Sequence, residues 1–380
     1  MIKINKINCF KLSSKYGDNN VFGQPKKVRS FVIVEIVLSN GIKGYGESYQ
    51  SAYVPEISEF IIKFLSNYFI NIDIDLAIKK IKNFRIPFVT QTGLVKGLMS
   101  SLEISFYDAK ARSEKKPLFK LLNPKTKRIK VKIYASGGSV IFKEKQLNED
   151  IKIIKKQGFD SYKMRIGFYK FKEDLKRINF IKKKFEKTKV KIMVDAIMGT
   201  LNSWDKKIAI QNIKILNNYK FNWIEEPLPP EQINDLKKLK EISKNPIAIG
   251  ESFTSYSEFE NAIKLKCCDV IQPDVTQLGI NDMLKVINLA KKNKIKVCLH
   301  VWGSTISLLS NLHIAMAFKY IDQIEYPLVK LKFLDDIIEN NINVANSHLS
   351  FKNLKSGLGL NINKKLLSKF KFIKSSGYKL

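Results

Sequence analysis

Titratable side chains recur at a nearly constant spacing through the later part of the sequence. From the first to the last, the steps between them are 32, 30, 26, 23, 26 and 25 residues. The series consists of Lys163, Asp195, Glu225, Glu251, Asp274, His300 and Glu325, with Arg165 two positions after its first member. A single residue of this kind could be a helix cap or a surface charge. Seven of them at matching points of a repeated pattern indicate one shared site.

Three consecutive members of the series are carboxylates. Oxygen ligands from three neighbouring elements favour a hard dication with positions left for water and substrate. No Cys or His lies near Asp195, Glu225 or Glu251 in the sequence, so zinc is disfavoured and Mg²⁺ is the expected cofactor. Such an ion can bind a substrate carboxylate and stabilise the enediolate that forms when the α-proton leaves. Glu226 adjoins Glu225, and the residues alone leave open which of the two is the ligand.

An aspartate and a histidine follow the three carboxylates in the series. A carboxylate beside an imidazole fixes its tautomer and raises its basicity, so Asp274 and His300 predict a catalytic base with its orienting partner. At the start of the series, Lys163 and Arg165 are two positions apart, and such residues on a strand point to the same side. They predict positive charge at the same site.

The elements that must position this series are visible from residue 129 onward. Short apolar strands alternate there with Lys-rich amphipathic helices. Eight strand–helix units predict a parallel (β/α)₈ TIM barrel over residues 129–340, with the titratable series at the carboxyl ends of its strands. That is the face where barrel enzymes place their chemistry. The strands are expected at 131–135, 161–164, 191–194, 223–224, 247–249, 270–271, 297–299 and 323–324.

The two ends of the chain follow other patterns. Residues 1–128 predict an α+β unit, with a hairpin of strands 31–38 and 42–46 and an apolar helix over 94–111. After residue 340 the strand–helix alternation stops. We expect the segment 341–380 to pack back on the N-terminal unit and to complete it.

Composition narrows the class of protein. The 380 residues are 44% hydrophobic, typical of a globular chain with a large core. The net charge of +32 is spread over almost every helix, so no nucleic-acid partner is expected. The sequence predicts neither a membrane span nor a signal peptide. The four cysteines fit no zinc site or disulfide scaffold, and we expect reduced thiols in a cytoplasmic protein that forms a homo-oligomer.

Several motifs resemble the enolase superfamily and, within it, the mandelate racemase type. The resemblance spans nearly the whole chain. Its most specific motif is WIEEP at 223–227, whose first acid is the ligand in that family, which selects Glu225. The other matching segments are GYGE at 44–47, FYDAK at 106–110, GES at 250–252, the PD pair at 273–274 with His300, IEYP at 324–327 and GLG at 357–359.

The resemblance implies a fold and an activity. It implies an enolase-like barrel covered by the N-terminal unit as a capping domain, and a Mg²⁺-dependent enzyme. The Asp274–His300 pair matches the family's dyad, and Glu325 matches an acid that hydrogen-bonds the substrate carboxylate, to which a protonated carboxyl could donate. The family often has Lys-x-Lys where this chain has Lys163 and Arg165, and many members have a polar residue where it has Ile197. Arginine is a poor base, so His300 is expected to be the one competent base.

Substrate specificity in this architecture is expected from loops of the capping domain over the barrel mouth, at 13–28 and 47–55. The candidate substrate-binding residues are Lys15, Tyr16, Tyr49, Tyr53, Ser136 and Trp302. They are polar or aromatic enough to contact a small hydroxylated carboxylate, which is the expected substrate.

Three functions remain open from the sequence. The first is an acid-sugar dehydratase, in which proton removal is followed by loss of a β-hydroxide to give a 2-keto-3-deoxy acid. The second is a racemase, epimerase or sugar-lactone cycloisomerase that uses the same enolate, with Lys163 as a second proton carrier. The third, a basic nucleic-acid-binding protein, depends on the net charge alone and would make the titratable series an accident. The sequence favours the first.

Overall fold

The computed structural model describes residues 1–17, 25–197, 204–329 and 342–379. The N-terminal part contains an antiparallel sheet of three strands, β1 (Ile4–Lys15), β2 (Val28–Leu38) and β3 (Lys43–Glu47). The predicted hairpin is confirmed as β2 and β3. Strand β1 was not predicted, because a register shift between Ile4 and Lys6 interrupts the alternation of apolar residues that would reveal it.

Four helices follow this sheet in the chain: α1 (Pro55–Ser66), α2 (Ile74–Asn83), α3 (Gly93–Ser113) and α4 (Leu118–Leu122). Of these, α1 and α3 pack on the sheet. The predicted apolar helix is α3, and most of its residues are buried. Gly44 and Gly46 of β3 allow its close approach, because a Cβ at either position would collide with the backbone carbonyls of Ser105 and Ser101. This explains why the GYGE segment alternates glycine with larger residues.

Eight parallel strands form a closed barrel and confirm the predicted fold. Each strand pairs with the next in the chain, and the last pairs with the first, so the sheet has no free edge between them. The strands are β4 (Lys130–Ser136), β5 (Ser161–Arg165), β6 (Lys191–Asp195), β7 (Ile224–Glu225), β8 (Ile247–Ile249), β9 (Val270–Ile271), β10 (Lys296–Leu299) and β11 (Ile321–Pro327).

Helices surround the barrel and share a large apolar core with the outer faces of its strands. They are α5 (Glu144–Gln157), α6 (Phe171–Phe185), α7 (Lys206–Leu216), α8 (Ile233–Ile242), α9 (Tyr256–Lys264), α10 (Val275–Leu278), α11 (Ile280–Lys292) and α12 (Thr305–Ala317). The inside is filled by a separate buried cluster of Tyr134, Met193, Trp223, Ala248, Val270 and Cys298. Within the described ranges, no helix combines the length and apolarity needed to cross a membrane.

The C-terminal segment divides between the two parts of the molecule. Its hairpin, β12 (Ile342–Ala345) and β13 (His348–Phe351), pairs antiparallel with β4 of the barrel and not with the N-terminal sheet. Farther along, Leu118 donates its backbone N–H to Gly357, and Lys371 bridges to Leu12 of β1. The division of the chain at residues 128 and 340 stays a prediction.

One contact between the N-terminal part and the barrel leads to a stability prediction. Glu103 of α3 accepts a 2.6 Å hydrogen bond from the backbone N–H of Asn281 at the start of α11. Burial raises the pKa of Glu103 from 4.5 to about 7. Between these two pKa values the folded state keeps a proton on Glu103 that the unfolded state loses. The contribution of this proton to the free energy of unfolding is complete below pH 4.5 and is lost as the pH rises through about 7.

We expect Glu103→Gln to remove about 3 kcal/mol of this fall in the free energy of unfolding between pH 4.5 and 7.5. Urea unfolding at several pH values measures it, with the exposed Glu186→Gln as control for the loss of a carboxylate. Wild-type protein and Glu103→Gln with the same pH slope would contradict the assignment.

Candidate active site

Three carboxylates meet at the carboxyl ends of adjacent barrel strands. Asp195 ends β6, Glu225 ends β7, and Glu251 lies two positions after β8. Asp195 and Glu225 are direct partners in the parallel register. One oxygen of each of the three carboxylates lies within 4.8 Å of the others. The barrel thus brings together the three residues that the sequence selected as metal ligands.

Glu225 and its neighbour Glu226 have different environments. Glu225 is fully buried, and its Oε2 accepts hydrogen bonds from Trp223 Nε1 at 2.9 Å and Gln272 Nε2 at 2.7 Å. Glu226 Oε1 accepts from the backbone N–H of Gly250 and from Ser252 Oγ, both at 3.2 Å. Two donors therefore orient the Glu225 carboxylate within the cluster, whereas Glu226 is bonded to the loop after β8.

The carboxylates of this cluster repel one another, as expected for a cation-binding site. Burial, and then the charge of Glu225, raise the pKa of Asp195. Burial and the charges of Glu226, Asp195 and Glu225 raise the pKa of Glu251 well above its usual range. Carboxylates that disfavour each other's ionisation gain most from a dication placed between them. The hard oxygen donor set also suits Mg²⁺, so the residues fit that ion.

Lys163 supplies a cation at one side of the cluster. Its buried Nζ lies 2.6 Å from Glu225 Oε1, 3.2 Å from Glu325 Oε1 and 3.5 Å from Asp195 Oδ2. Burial alone would lower the pKa of Lys163, but the charges of Glu225 and Glu325 outweigh it and raise the pKa well above its usual range. These contacts favour the ammonium form of Lys163, which can donate hydrogen bonds to the carboxylates.

Arg165 adds a second positive charge at the end of β5. Its Nε lies 3.6 Å from Asp195 Oδ2, and its guanidinium stacks 4.3 Å from the centre of the Trp302 ring. One of its amino groups donates to Ser136 Oγ at 3.2 Å, and another to the carbonyl of Gly137 at 3.0 Å. These contacts hold the guanidinium in the wall of the site.

His300 and Asp274 form a buried pair. Nδ1 of His300 lies 2.9 Å from Asp274 Oδ2. The other carboxylate oxygen of Asp274 accepts from the backbone N–H and hydroxyl of Thr276 and from Asn311 Nδ2. Since Asp274 is fixed by three further donors, the imidazole donates through Nδ1 and keeps a lone pair on Nε2. That nitrogen faces the cluster, 3.6 Å from Glu251 Oε2.

Glu325 lies between the histidine and the two cations. Its Oε2 accepts from the backbone N–H of Val301 at 3.1 Å and lies 3.8 Å from His300 Nε2. Burial raises the pKa of Glu325, but the charges of Lys163, of His300 in its protonated form and of Arg165 outweigh it and lower the pKa to about 2. In this arrangement the nearby cations favour the ionised carboxylate of Glu325, and a hydrogen bond from a protonated Glu325 to the substrate carboxylate stays a prediction.

A cavity of about 530 Å³ opens above these groups. Of the predicted substrate-binding residues, Tyr49, Tyr53 and Trp302 line it. Tyr49 packs its ring 5.3 Å from that of His300 and shares a 2.8 Å hydrogen bond between hydroxyls with Tyr53.

The other predicted contacts do not line this cavity. Ser136 is buried beside Arg165, and the buried ring of Tyr16 packs edge-on against Trp302, 6.0 Å between centres. Lys15 is exposed at the end of β1. Of the predicted cap loops, residues 18–24 lie outside the described part of the chain.

Several groups that orient the site were not identified from the sequence. Gln272 and Asn311 bond the predicted ligand Glu225 and the predicted dyad member Asp274, but amides at such positions carry no charge signal. Glu47 of β3 accepts from the backbone N–H of Ser304 at 3.0 Å and from its hydroxyl. It thereby ties the N-terminal sheet to the loop that follows His300. Its place in the GYGE segment was the one available signal.

Comparison with known proteins identifies relatives that match most of the chain. The family model for the mandelate racemase / muconate lactonizing enzyme N-terminal domain matches residues 23–123, and the model for enolase C-terminal domain-like proteins matches residues 146–366. An arabinonate dehydratase of Saccharolobus solfataricus is 28% identical over 346 residues, which cover 90% of each chain.

Solved structures share the fold. A 3,6-anhydro-D-galactonate cycloisomerase from Zobellia galactanivorans superposes with a TM-score of 0.84, at 23% identity over 97% of this chain and 99% of that one. An L-talarate/galactarate dehydratase from Salmonella typhimurium, liganded with Mg and L-lyxarohydroxamate, has a TM-score of 0.82 at 22% identity, over 98% of this chain and 93% of that one. The chain belongs to the mandelate racemase / muconate lactonizing enzyme family of the enolase superfamily.

Proposed function

We propose that this protein is a Mg²⁺-dependent acid-sugar dehydratase. The observation that carries the proposal is an asymmetry across the site. The Nε2 of His300 faces the carboxylate cluster and can act as a base. Lys163, by contrast, forms ion pairs with Glu225 and Glu325, which favour its protonated form. One base can start an elimination, but a change of configuration at the α-carbon usually needs a donor on the other face.

The residues divide the chemistry between them. Asp195, Glu225 and Glu251 would hold Mg²⁺, which would supply charge to neutralise the substrate carboxylate. Lys163 and Arg165 add positive charge where the substrate becomes more anionic as its α-proton leaves. The closed barrel floor keeps these groups largely out of water, which strengthens their effect on the reacting atoms.

His300 then serves twice. Its Nε2 takes the α-proton, and the C–H electron pair moves toward the substrate carboxylate to give the enediolate. That electron pair then forms the C=C bond between the α- and β-carbons as the β C–O bond breaks. The imidazolium returns the proton to the departing hydroxide, which leaves as water, and the enol tautomerises to a 2-keto-3-deoxy acid. Asp274 stabilises the imidazolium between the two transfers. The balance is one water lost and no redox change.

Asp274 gives the first test of this arrangement. In Asp274→Asn the oxygen must stay with Thr276 and Asn311, so the amide NH₂ would face His300 Nδ1. The imidazole remains, but its Nε2 lone pair exists only in a disfavoured tautomer. We expect kcat/KM to fall about 100-fold. Steady-state kinetics measure it, with the exposed, remote Asp322→Asn as control. A variant with unchanged kcat/KM would show that Asp274 does not orient the base.

The product of the reaction tests the proposed function. A panel of acid sugars is incubated with the protein and Mg²⁺, and keto-acid formation is followed. A 2-keto-3-deoxy product supports the dehydratase. A stereoisomer or a ring-opened isomer supports the epimerase or cycloisomerase, a candidate favoured by the similarity in fold to the Zobellia galactanivorans cycloisomerase. Salt-dependent DNA binding without turnover would support neither enzyme.

A further inference from the structure

Residues 370–378 form a strap along the N-terminal part of the molecule, and the strap ends at the active-site cavity. Phe370 accepts a backbone hydrogen bond from Ser13 of β1, and Ile373 donates its N–H to Ser13 Oγ at 2.9 Å. Ser375 donates its N–H to Glu56 Oε1 at 2.9 Å, at the start of α1. The strap is therefore bonded to both β1 and α1 before it reaches the cavity.

A buried cluster of three hydroxyls fixes the middle of this strap. The Oγ of Ser376 is fully buried, 2.6 Å from the Oγ of Ser30 and 3.5 Å from that of Ser13. Ser13 and Ser30 are themselves 2.7 Å apart, across β1 and β2. Buried hydroxyls are costly unless they are paired, and these three satisfy one another. The cluster thus sets the position of the residues that follow.

The backbone of Gly377 and Tyr378 positions the Tyr378 ring in the cavity wall. Gly377 packs so closely on the segment before α1 that a Cβ would collide with the carbonyl of Tyr53. Tyr378 donates its N–H to the carbonyl of Ala52 at 2.8 Å. Its ring meets that of Tyr53 edge-on, 5.2 Å between centres. The backbone, and not only the side chain, is therefore fixed against the loop that carries Tyr49 and Tyr53.

Tyr378 lines the same cavity as Asp195, Glu251 and His300. The hydroxyl of Tyr53 is bonded to Tyr49, but among the residues that the structure describes, the Tyr378 hydroxyl has no hydrogen-bond partner. Burial raises the pKa of Tyr378, so the phenol keeps its proton near neutral pH and can donate. A half-buried phenol in the wall, fixed by its backbone and without a protein partner, is suited to a ligand hydroxyl.

We propose that Tyr378 is a specificity-determining residue whose hydroxyl hydrogen-bonds a substrate hydroxyl remote from the carboxylate. The inference extends the proposed function, because it takes the substrate carboxylate to lie at Asp195, Glu225 and Glu251. The strap packs on the N-terminal part, which covers the barrel. Tyr378 would therefore contact the end of the substrate that is remote from its carboxylate. We therefore expect long polyhydroxylated acids to reach Tyr378 and three-carbon acids not to reach it.

Binding measured without turnover tests this contact. In protein carrying His300→Asn, with Mg²⁺ present, calorimetry compares arabinonate, talarate and galactarate with glycerate. Tyr378→Phe keeps the ring that packs on Tyr53 and removes only the hydroxyl. We expect it to weaken binding of at least one long acid about 5- to 10-fold, as for one neutral hydrogen bond, and to leave glycerate unchanged. The remote Tyr219→Phe is the matched control and should change neither.

The outcomes separate this proposal from the proposed function. Equal weakening for glycerate and the long acids, or no weakening at all, would overturn the Tyr378 contact. If the long acids bind and show the Tyr378→Phe effect, but the protein with an intact His300 forms no keto acid from them, the contact stands and the dehydratase proposal fails. No binding of any long acid would overturn both.

Discussion

Glu251→Gln is expected to abolish turnover through loss of the metal. The substitution removes one of three anionic ligands and leaves an amide, which is a much weaker partner for Mg²⁺. Mutation of a residue that only orients a metal ligand typically lowers metal affinity or activity 10- to 100-fold. Loss of a direct ligand should therefore lower activity by about 10³-fold or more. Metal titration followed by calorimetry and by turnover measures both effects.

The metal-free protein gives this prediction a second readout. Glu251 is repelled by Glu226, Asp195 and Glu225, so the amide should relieve repulsion and leave the metal-free variant at least as stable as the wild type. Added Mg²⁺ should then stabilise the wild type and not the variant. The exposed Glu241→Gln serves as control. A Glu251→Gln variant with full activity and no raised demand for Mg²⁺ would show that Glu251 is not a ligand.

The barrel and its acidic cluster could be predicted from the sequence because both depend on local patterns. Each strand is a short apolar run that ends in a titratable residue, and parallel pairing places all such ends on one face. The strand at 247–249 was even predicted with its observed bounds, since Gly250 and Pro246 delimit it. The WIEEP segment separated Glu225 from Glu226, a choice that periodicity alone could not make.

Other features depend on contacts between distant segments and could not be predicted. The pairing of β13 with β4 and the strap that carries Tyr378 join residues more than 200 positions apart. The ionisation of Glu325 depends on Lys163 and Arg165 of β5, 162 and 160 positions earlier, and on His300, and only the closed barrel determines these distances. Sequence patterns identify which residues can ionise, but the balance of burial and charge that sets their protonation needs coordinates.

His300→Asn should cause a loss of catalysis at least as large as that of Glu251→Gln. The substitution removes the imidazole Nε2 that faces the carboxylate cluster, and no other neutral base is positioned there among the described residues. We expect kcat/KM to fall by about 10³-fold or more. The control is His348→Asn, which also removes one histidine but lies on β13, away from the cavity.

The most direct test of His300 as the single base is solvent deuterium exchange at the α-carbon of the true substrate. Proton NMR in D₂O follows the α-proton with wild-type protein, His300→Asn and Lys163→Met, each with Mg²⁺. Exchange should occur with the wild type and disappear in His300→Asn, because proton removal itself needs the imidazole. Exchange by His300→Asn at the wild-type rate, and its loss in Lys163→Met, would instead make Lys163 the base and contradict the one-base mechanism.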